Sequence, residues 1–251
     1  MKTLIIGHSF IDRYRRYLRR FEQYVDVGAL ADFSAHFGLA PGNTVHIQGR
    51  SGLRIDSYGK EYILDRVRRV QPEILIVEIG TNDIVYRYDP ADIATQLKLF
   101  YRELLSNTSV NYIVQIQIIE RRRAGYRRDD NLDRDQFDEN KKILNAILQR
   151  FTRVNENVRV FRHDRNLIVK LQQDSISRDD IHVTTQKGLE YYHFSIRRAV
   201  VTAQATLLKR QAESREAELR DRRIVQLTGR YDPDFVRRKD RVYSFMNAGR
   251  Y

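Results

Sequence analysis

A serine near the start of the chain and an Asp-x-x-His pair near residue 180 could carry out nucleophilic chemistry together. Ser9 follows an apolar run that ends at Gly7, and Asp179 precedes His182 by three residues. A serine hydroxyl is a weak nucleophile until a neighbouring base removes its proton. His182 is the candidate base, and Asp179 could fix its tautomer and stabilise the imidazolium that forms. These residues predict hydrolysis of an ester through an acyl-enzyme.

The same chemistry needs hydrogen-bond donors for the negative charge that develops on the ester carbonyl oxygen. The backbone N–H of Ser9, the N–H of Gly52 in Gly-Arg-Ser-Gly and the side-chain amide of Asn82 in Gly-Thr-Asn-Asp could supply them. Glycine suits a position at which the backbone must approach a substrate closely. We therefore predict an oxyanion hole formed by Ser9, Gly52 and Asn82.

Each of these residues has a simpler interpretation when it is taken alone. Ser9 could cap the helix that follows it, because serine is a favoured N-cap residue. Gly52 could be a turn glycine, and Asn82 could bond its own backbone in a turn. Asp179 and His182 could be features of a loop and a helix cap. Their order and their common place after predicted strands favour the catalytic interpretation.

Strand and helix patterns alternate along the chain, which predicts a parallel sheet with helices on both faces. The predicted strands are 3–6, 44–47, 74–79, 112–119 and 158–161, and the predicted helices are 13–24, 57–69, 90–105, 136–153 and a last one from about 185. This pattern fits a three-layer α/β/α sandwich with a flavodoxin-like five-stranded parallel sheet. Ligands bind such sheets beyond the carboxyl ends of the strands, and Ser9, Gly52 and Asn82 all fall just after predicted strands.

The length of 251 residues allows one α/β domain and an appendage. We predict a hydrolase-like domain over 1–205 and a basic helical extension and tail over 206–251. The stretch 207–223 is rich in charges of both signs, which is typical of a solvated helix.

The composition excludes several classes of site. The chain contains no cysteine, so it has no disulfide, no thiolate metal site and no cysteine nucleophile. The apolar run in 1–7 is too short for a secretory signal, and no run approaches the roughly 20 apolar residues that span a bilayer. We therefore expect an intracellular protein without a transmembrane segment. We also expect no metal and no cofactor.

The chain is strongly basic, with a net charge of +12. A basic surface favours nucleic acid or an anionic surface as a partner, although a high pI alone is also common in soluble proteins. Arg121, Arg122 and Arg123 lie in a charged loop predicted over 120–135. This loop is either solvated or a contact for the substrate or another anion, and the tail after Lys209 is a second candidate surface. The sequence allows a homo-oligomer but does not predict one.

The chain resembles the SGNH, or GDSL-type, hydrolases from Thr3 to about Ala205. The motifs that carry the resemblance are Gly-His-Ser-Phe at 7–10, Gly-Arg-Ser-Gly at 49–52, Gly-Thr-Asn-Asp at 80–83 and Asp-Asp-Ile-His at 179–182. The resemblance implies a flavodoxin-like fold and metal-free hydrolysis of acyl esters, such as lipids and acetylated sugars. It also implies the catalytic set Ser9, Asp179 and His182, with Gly52 and Asn82 completing the oxyanion hole.

One position departs from the family pattern, because His8 replaces the aspartate of the usual Gly-Asp-Ser. His8 is either a local structural partner or a side chain that lines the pocket. Glu78, near the end of the predicted strand 74–79, could bond neighbouring loops or tune the pocket.

The chain also resembles, more narrowly, the esterase-type domains associated with animal retroelements. This likeness rests on Gly-His-Ser-Phe, Gly-Arg-Ser-Gly-Leu-Arg, Glu-Ile-Gly-Thr-Asn-Asp and the helix that contains 191–198. It implies that the basic loops and tail could serve RNA, DNA or membrane association.

Two functions from different classes follow. The leading one is a serine esterase that acts on a small acyl ester. The alternative is a hydrolase-fold scaffold whose basic surface binds nucleic acid, and the presence of every catalytic position argues against a scaffold alone. An esterase that works at anionic membranes ranks lower, because the C-terminal helix lacks a broad apolar face.

Overall fold

A computed structural model describes residues 1–20, 31–86, 88–119, 134–164, 183 and 185–228, with side chains to 223. Strands and helices alternate along these residues. The strands are β1 (Lys2–Gly7), β2 (Thr44–Gly49), β3 (Ile74–Glu78), β4 (Tyr112–Ile116) and β5 (Val158–Phe161). The helices are α1 (Ser9–Arg19), α2 (Ser34–Phe37), α3 (Ser57–Val70), α4 (Thr81–Val85), α5 (Pro90–Asn107), α6 (Arg134–Arg153) and α7 (Gln186–Thr228).

The five strands form one parallel sheet in the order β2-β1-β3-β4-β5. This is the flavodoxin-like order, in which the chain moves outward from β1 in one direction and then in the other. The sheet and its flanking helices confirm the predicted fold class. The crevice between the ends of β1 and β3, where the direction changes, is the usual ligand site of such sheets.

Both faces of the central strands are buried, so these strands read as nearly continuous apolar runs. Leu4, Ile6, Leu75 and Val77 point into one core layer. The helices α3, α5 and α6 cover that layer with Ile63, Val67, Leu97, Phe100, Leu144 and Leu148. On the other face, Gln204 of α7 donates a hydrogen bond to the hydroxyl of Thr3 in β1, at 3.2 Å.

Polar caps set where the helices begin, and α3 and α5 begin at the predicted residues. Asp56 accepts a hydrogen bond from Gly59 N at 2.8 Å and starts α3, and Asp89 accepts from Ala91 N at 2.7 Å and starts α5. Helix α1 begins at Ser9, four positions before the predicted start, because His8 provides the cap. The short helices α2 and α4 were not predicted, since they are too short to show a helical period.

The chain divides into two units, Met1–Gln204 and Ala205–Tyr251. In the second unit, α7 continues to Thr228, and Lys209 pairs with Glu213 at 3.7 Å one turn along the helix. The division into 1–205 and 206–251 as separate functional parts stays a prediction. Within the described parts of the chain, no helix has the length and apolar character needed to cross a bilayer.

Candidate active site

Three neighbouring strand ends bring the predicted donors and the serine toward one edge of the sheet. Gly7, the last residue of β1, is in register with Gly49 of β2 on one side and Glu78 of β3 on the other. Ser9 follows two residues after Gly7, and Gly52 follows three residues after Gly49. Asn82 follows four residues after Glu78. The candidate residues therefore leave adjacent strands at the crevice where ligands bind such sheets.

Ser9 is the first residue of α1, and it does not cap that helix. His8 is the N-cap residue, and its Nδ1 accepts a hydrogen bond from Phe10 N at 3.5 Å. The capping interpretation of Ser9 is therefore replaced by capping through His8. Ser9 is 6% exposed, and it lies where backbone N–H groups of the first helical turn point out of the helix and favour negative charge.

Asn82 fixes the loop over 50–56, which we call the Gly52 loop. Its side-chain amide donates a hydrogen bond to the carbonyl oxygen of Leu53 at 3.0 Å. This bond spans 29 residues, so Asn82 does not close a turn on its own backbone as the simpler interpretation held. An amide nitrogen carries two hydrogens, so one contact to Leu53 uses half of its donor capacity.

Asp83 contacts the same loop at Ile55, two residues after Leu53. Its Oδ1 accepts a hydrogen bond from Ile55 N at 2.9 Å, and its side chain is fully buried. Burial raises the pKa of Asp83 to about 6, while the hydrogen bond from Ile55 acts in the opposite direction. Asn82 and Asp83 thus bind the loop on both sides of Arg54 and connect it to α4.

Gly52 adopts a left-handed backbone with φ of 76°. It is exposed, and a Cβ built on it would have no atom within 4 Å. Glycine is needed here for its backbone conformation, since other residues reach this region at a cost. The exposed loop leaves space beside Gly52 for a bound group.

His8 lies in a buried polar cluster beneath Ser9. Its ring is fully buried; Nδ1 is 3.5 Å from Ser9 Oγ, and Nε2 is 3.1 Å from Thr81 Oγ1. Nε2 is also 4.0 Å from Oε2 of Glu78, which is itself 2% exposed. Of the two interpretations of His8, complete burial favours the local structural partner.

The cluster continues from Glu78 toward α7. Tyr192 of α7 is 1% exposed, and burial, followed by the Glu78 carboxylate, raises its pKa well above the ordinary value. Glu78 therefore lies between His8, which caps α1, and Tyr192 of α7. Whether it bonds neighbouring loops or tunes the pocket stays a prediction.

A second buried serine–histidine pair lies after β5. Nδ1 of His163 is 2.7 Å from Ser195 Oγ, and the two residues are 5% and 7% exposed. Burial, followed by the charge of Arg198, lowers the pKa of His163 to about 4. His163 is thus a neutral, structural histidine at physiological pH.

Several candidate residues lie outside the described residues. These are Asp179 and His182 of the proposed base pair, Arg121, Arg122 and Arg123 of the charged loop, and the tail from residue 229. Two pockets of about 400 and 320 Å³ are lined by residues of β4, β5, α6 and α7 and of the segments that follow β4 and β5. Neither pocket includes Ser9, Gly52 or Asn82. Among the described side chains, no group of His, Cys, Asp or Glu could hold a metal ion.

No role was predicted for Thr81 or Asp83 from the sequence, although both lie within the Gly-Thr-Asn-Asp motif. Thr81 contacts His8, and Asp83 contacts Ile55. The available signal was the run of polar residues directly after a fully apolar strand, because buried polar groups require partners.

Residues 5–221 match the profile of the GDSL-like lipase/acylhydrolase family, which covers most of the chain. No protein of curated function matches the sequence.

Solved structures with related folds include members of the same group. A GDSL-like lipase from Bacteroides thetaiotaomicron is 15% identical with a TM-score of 0.59, covering 80% of this chain and 88% of that one. A catalytic mutant of Axe2, an acetylxylan esterase from Geobacillus stearothermophilus, is 17% identical with a TM-score of 0.52, covering 78% and 92%. At these identities the likeness supports the fold alone.

Proposed function

The chain belongs to the GDSL-like lipase/acylhydrolase family, and on this premise we propose that it hydrolyses a small acyl ester with Ser9 as the nucleophile. The observation that carries the proposal is the position of Ser9 at the start of α1, between the Gly52 loop and the helix that contains Asn82. Family membership supports an esterase or acylhydrolase in general, and the assignment of individual residues is our own proposal.

In the proposed reaction, His182 takes the proton from the Ser9 hydroxyl as its oxygen attacks the ester carbonyl carbon. Asp179 accepts a hydrogen bond from the other imidazole nitrogen and stabilises the imidazolium. The N–H groups of Ser9 and Gly52 and the amide of Asn82 donate to the oxyanion that forms.

The tetrahedral intermediate then collapses, and the alcohol leaves with the proton from His182. Water attacks the acyl-enzyme in the second half of the reaction, again with His182 as the base. The acid is released and the Ser9 hydroxyl is restored, so the cycle needs neither a metal nor a cofactor.

The proposed acyl group is acetyl or another short chain. One structural relative is an acetylxylan esterase by name, and the alcohol of the present substrate would be a lipid or sugar hydroxyl. Hydrolysis rates for p-nitrophenyl acetate, butyrate and octanoate test the chain length, and a maximum at octanoate would contradict the proposal.

Ser9→Ala tests the nucleophile directly. We expect hydrolysis of p-nitrophenyl acetate to fall by about 10³-fold or more, because the remaining site can only bind and polarise the ester. Ser106→Ala is the matched control, since it is the same chemical change at an exposed position of α5. Equal activity in the two variants, with unchanged circular dichroism, would refute the assignment of Ser9.

His182→Ala and Asp179→Asn test the base and its partner. We expect the His182 variant to be as inactive as Ser9→Ala, and the Asp179 variant to lose activity because the imidazole tautomer is no longer fixed. Full activity of the His182 variant would require another base.

Nucleic-acid binding and the link to retroelements stay predictions. The described part of the C-terminal extension carries acidic residues between its basic ones, such as the Lys209–Glu213 pair. Binding of single-stranded RNA that weakens with salt would support a nucleic-acid role, and no binding at low salt would exclude it.

A further inference from the structure

Arg50 lies at the start of the Gly52 loop, and it has no carboxylate partner among the residues that the structure describes. The guanidinium carbon of Arg50 is 4.2 Å from the centre of the Tyr58 ring and 5.1 Å from that of Tyr62. Its Nη2 also donates a hydrogen bond to the Tyr58 hydroxyl. We call these three residues the Arg50 stack. None of the ion pairs between described residues includes Arg50, so the rings hold its charge in place without neutralising it.

The Arg50 stack lies at the edge of the sheet where the candidate site is built. Arg50 N donates a hydrogen bond to Gly7 O at 2.9 Å, two residues before Ser9. Tyr58 is in the first turn of α3, which begins directly after the Gly52 loop. Arg50 precedes Gly52 by two residues, so the arginine and one of the proposed oxyanion donors belong to the same loop.

Nearby arginines with similar stacking are paired with acids. Arg54 lies 4.4 Å from the centre of the Tyr86 ring, but its Nη2 is 2.9 Å from Oδ2 of Asp56. Arg66 lies 5.2 Å from the centre of the Tyr62 ring and pairs with Asp65 at 3.8 Å. Among these stacked arginines, Arg50 is the one whose charge is not matched by a described carboxylate.

We propose that the Arg50 stack binds a carboxylate or phosphate group that the ester substrate carries close to its scissile bond. A guanidinium presents a planar fork of donors that matches both anions. Stacking on tyrosine fixes that fork before the ligand arrives, which lowers the ordering cost of binding. Tyr58 is 60% exposed, so the stack is accessible from solvent. This proposal rests on the proposed function, because the anion is placed next to the ester that the site would hydrolyse.

Binding can be measured without turnover, by calorimetric titration of the full chain with phenyl phosphate, benzoate and phenol. We expect phenyl phosphate or benzoate to bind at least about tenfold more tightly than phenol, and the tighter of the two identifies the preferred anion. Arg50→Gln is expected to remove this preference, and Arg50→Lys to keep part of it. Equal affinity for all three probes, or a preference that survives in Arg50→Gln, would overturn the proposal.

Turnover supplies the second measurement. We expect the KM for the p-nitrophenyl monoester of succinate to rise about tenfold in Arg50→Gln, while the KM for p-nitrophenyl acetate stays within about twofold. Arg68→Gln is the matched control, because Arg68 is exposed on α3 and pairs with Glu61 at 3.5 Å. A rise in both KM values would assign Arg50 a structural role and overturn the proposal.

The two proposals fail in different ways. Anion binding that depends on Arg50, without hydrolysis that depends on Ser9, would overturn the esterase and keep the subsite. Hydrolysis that depends on Ser9, without any anion preference, would keep the esterase and overturn the subsite.

Discussion

The side-chain amide of Asn82 donates a hydrogen bond to the carbonyl oxygen of Leu53, at 3.0 Å. Asn82 follows β3, whereas Leu53 is adjacent to Gly52 in the loop after β2. Two of the proposed oxyanion donors are therefore connected through Leu53, the neighbour of Gly52. The contact gives Asn82 a positioning role in addition to its proposed role toward the substrate, and the two roles predict different kinetics.

Asn82→Ala separates these roles. If the amide donates to the oxyanion, kcat for p-nitrophenyl acetate should fall by about 10²–10³, because the interaction forms mainly in the transition state. A rise in KM at constant kcat would instead indicate that Asn82 only fixes the loop. Asn107→Ala, at the exposed end of α5, is the control for the same chemical change.

Asp83→Asn should change how stability depends on pH. The folded-state pKa of Asp83 is raised by burial from 3.8 to about 6. The protonated carboxyl therefore contributes stability that is fully present below pH 4 and lost as the pH rises through 6, on the order of 3 kcal/mol. Asparagine has no such titration and can still accept from Ile55 N.

We expect urea unfolding to show that Asp83→Asn gains stability relative to the native chain as the pH rises from 4.5 to 7. A constant difference between the two proteins over this range would contradict the raised pKa.

His163 should change the free energy of unfolding in the opposite direction over nearly the same pH range. Its folded-state pKa is lowered from 6.5 to about 4, first by burial and then by Arg198. The neutral imidazole contributes stability that is present above pH 6.5 and lost as the pH falls through 4, on the order of 3 kcal/mol. Asp83 and His163 therefore oppose each other between pH 4 and 6.

His163→Gln removes the imidazole titration and keeps a group that can bond Ser195. We expect its free energy of unfolding to fall more steeply with rising pH than that of the native chain. Identical slopes in the two proteins would show that His163 does not titrate in this range.

The five strands and most helix bounds could be predicted from the sequence because apolar periods and caps are local signals. Asp89 followed by Pro90 marks the start of α5 in the sequence itself. Strand β4 was predicted to reach Ile119 but ends at Ile116, although Ile118 and Ile119 are also buried. Apolar residues continue past the last residue that pairs with a neighbouring strand. Composition alone therefore does not mark the end of the strand.

The candidate site was predictable in its list of residues but not in its internal contacts. The distance along the chain between Asn82 and Leu53, or between His8 and Glu78, gives no local pattern, since these pairs meet only when parallel strands align. The capping role of His8 was also unexpected, because serine is the more common N-cap residue and Ser9 is its neighbour.

Gly49→Ala tests how closely α1 must approach β2. A Cβ on Gly49 would lie 2.2 Å from Asp12 N in the first turns of α1, so the helix that begins with Ser9 would have to move. We expect a loss of about 3 kcal/mol in the free energy of unfolding and a lower kcat. Gly42→Ala is the control, because φ there is 84° but no atom lies within 4 Å; it should cost about 1 kcal/mol and leave kcat unchanged.

His8 stands where the family usually has aspartate, and this difference leads to a prediction about Glu78. A carboxylate at position 8 would be a second buried acid in the same cluster as Glu78, whose Oε2 is 4.0 Å from Nε2 of His8. Two acids in one buried cluster repel each other, or one of them takes up a proton. His8→Asp should therefore destabilise the protein by several kcal/mol, even though it restores the usual family residue.

Glu78→Gln combined with His8→Asp should recover much of that loss, because the second negative charge is removed. A double-mutant cycle measured by urea unfolding should give a coupling free energy above about 1 kcal/mol. Additive effects would mean that His8 and Glu78 do not interact. In that case, the cost of His8→Asp would come from the lost contact with Thr81 at 3.1 Å, and Thr81→Val should reproduce it.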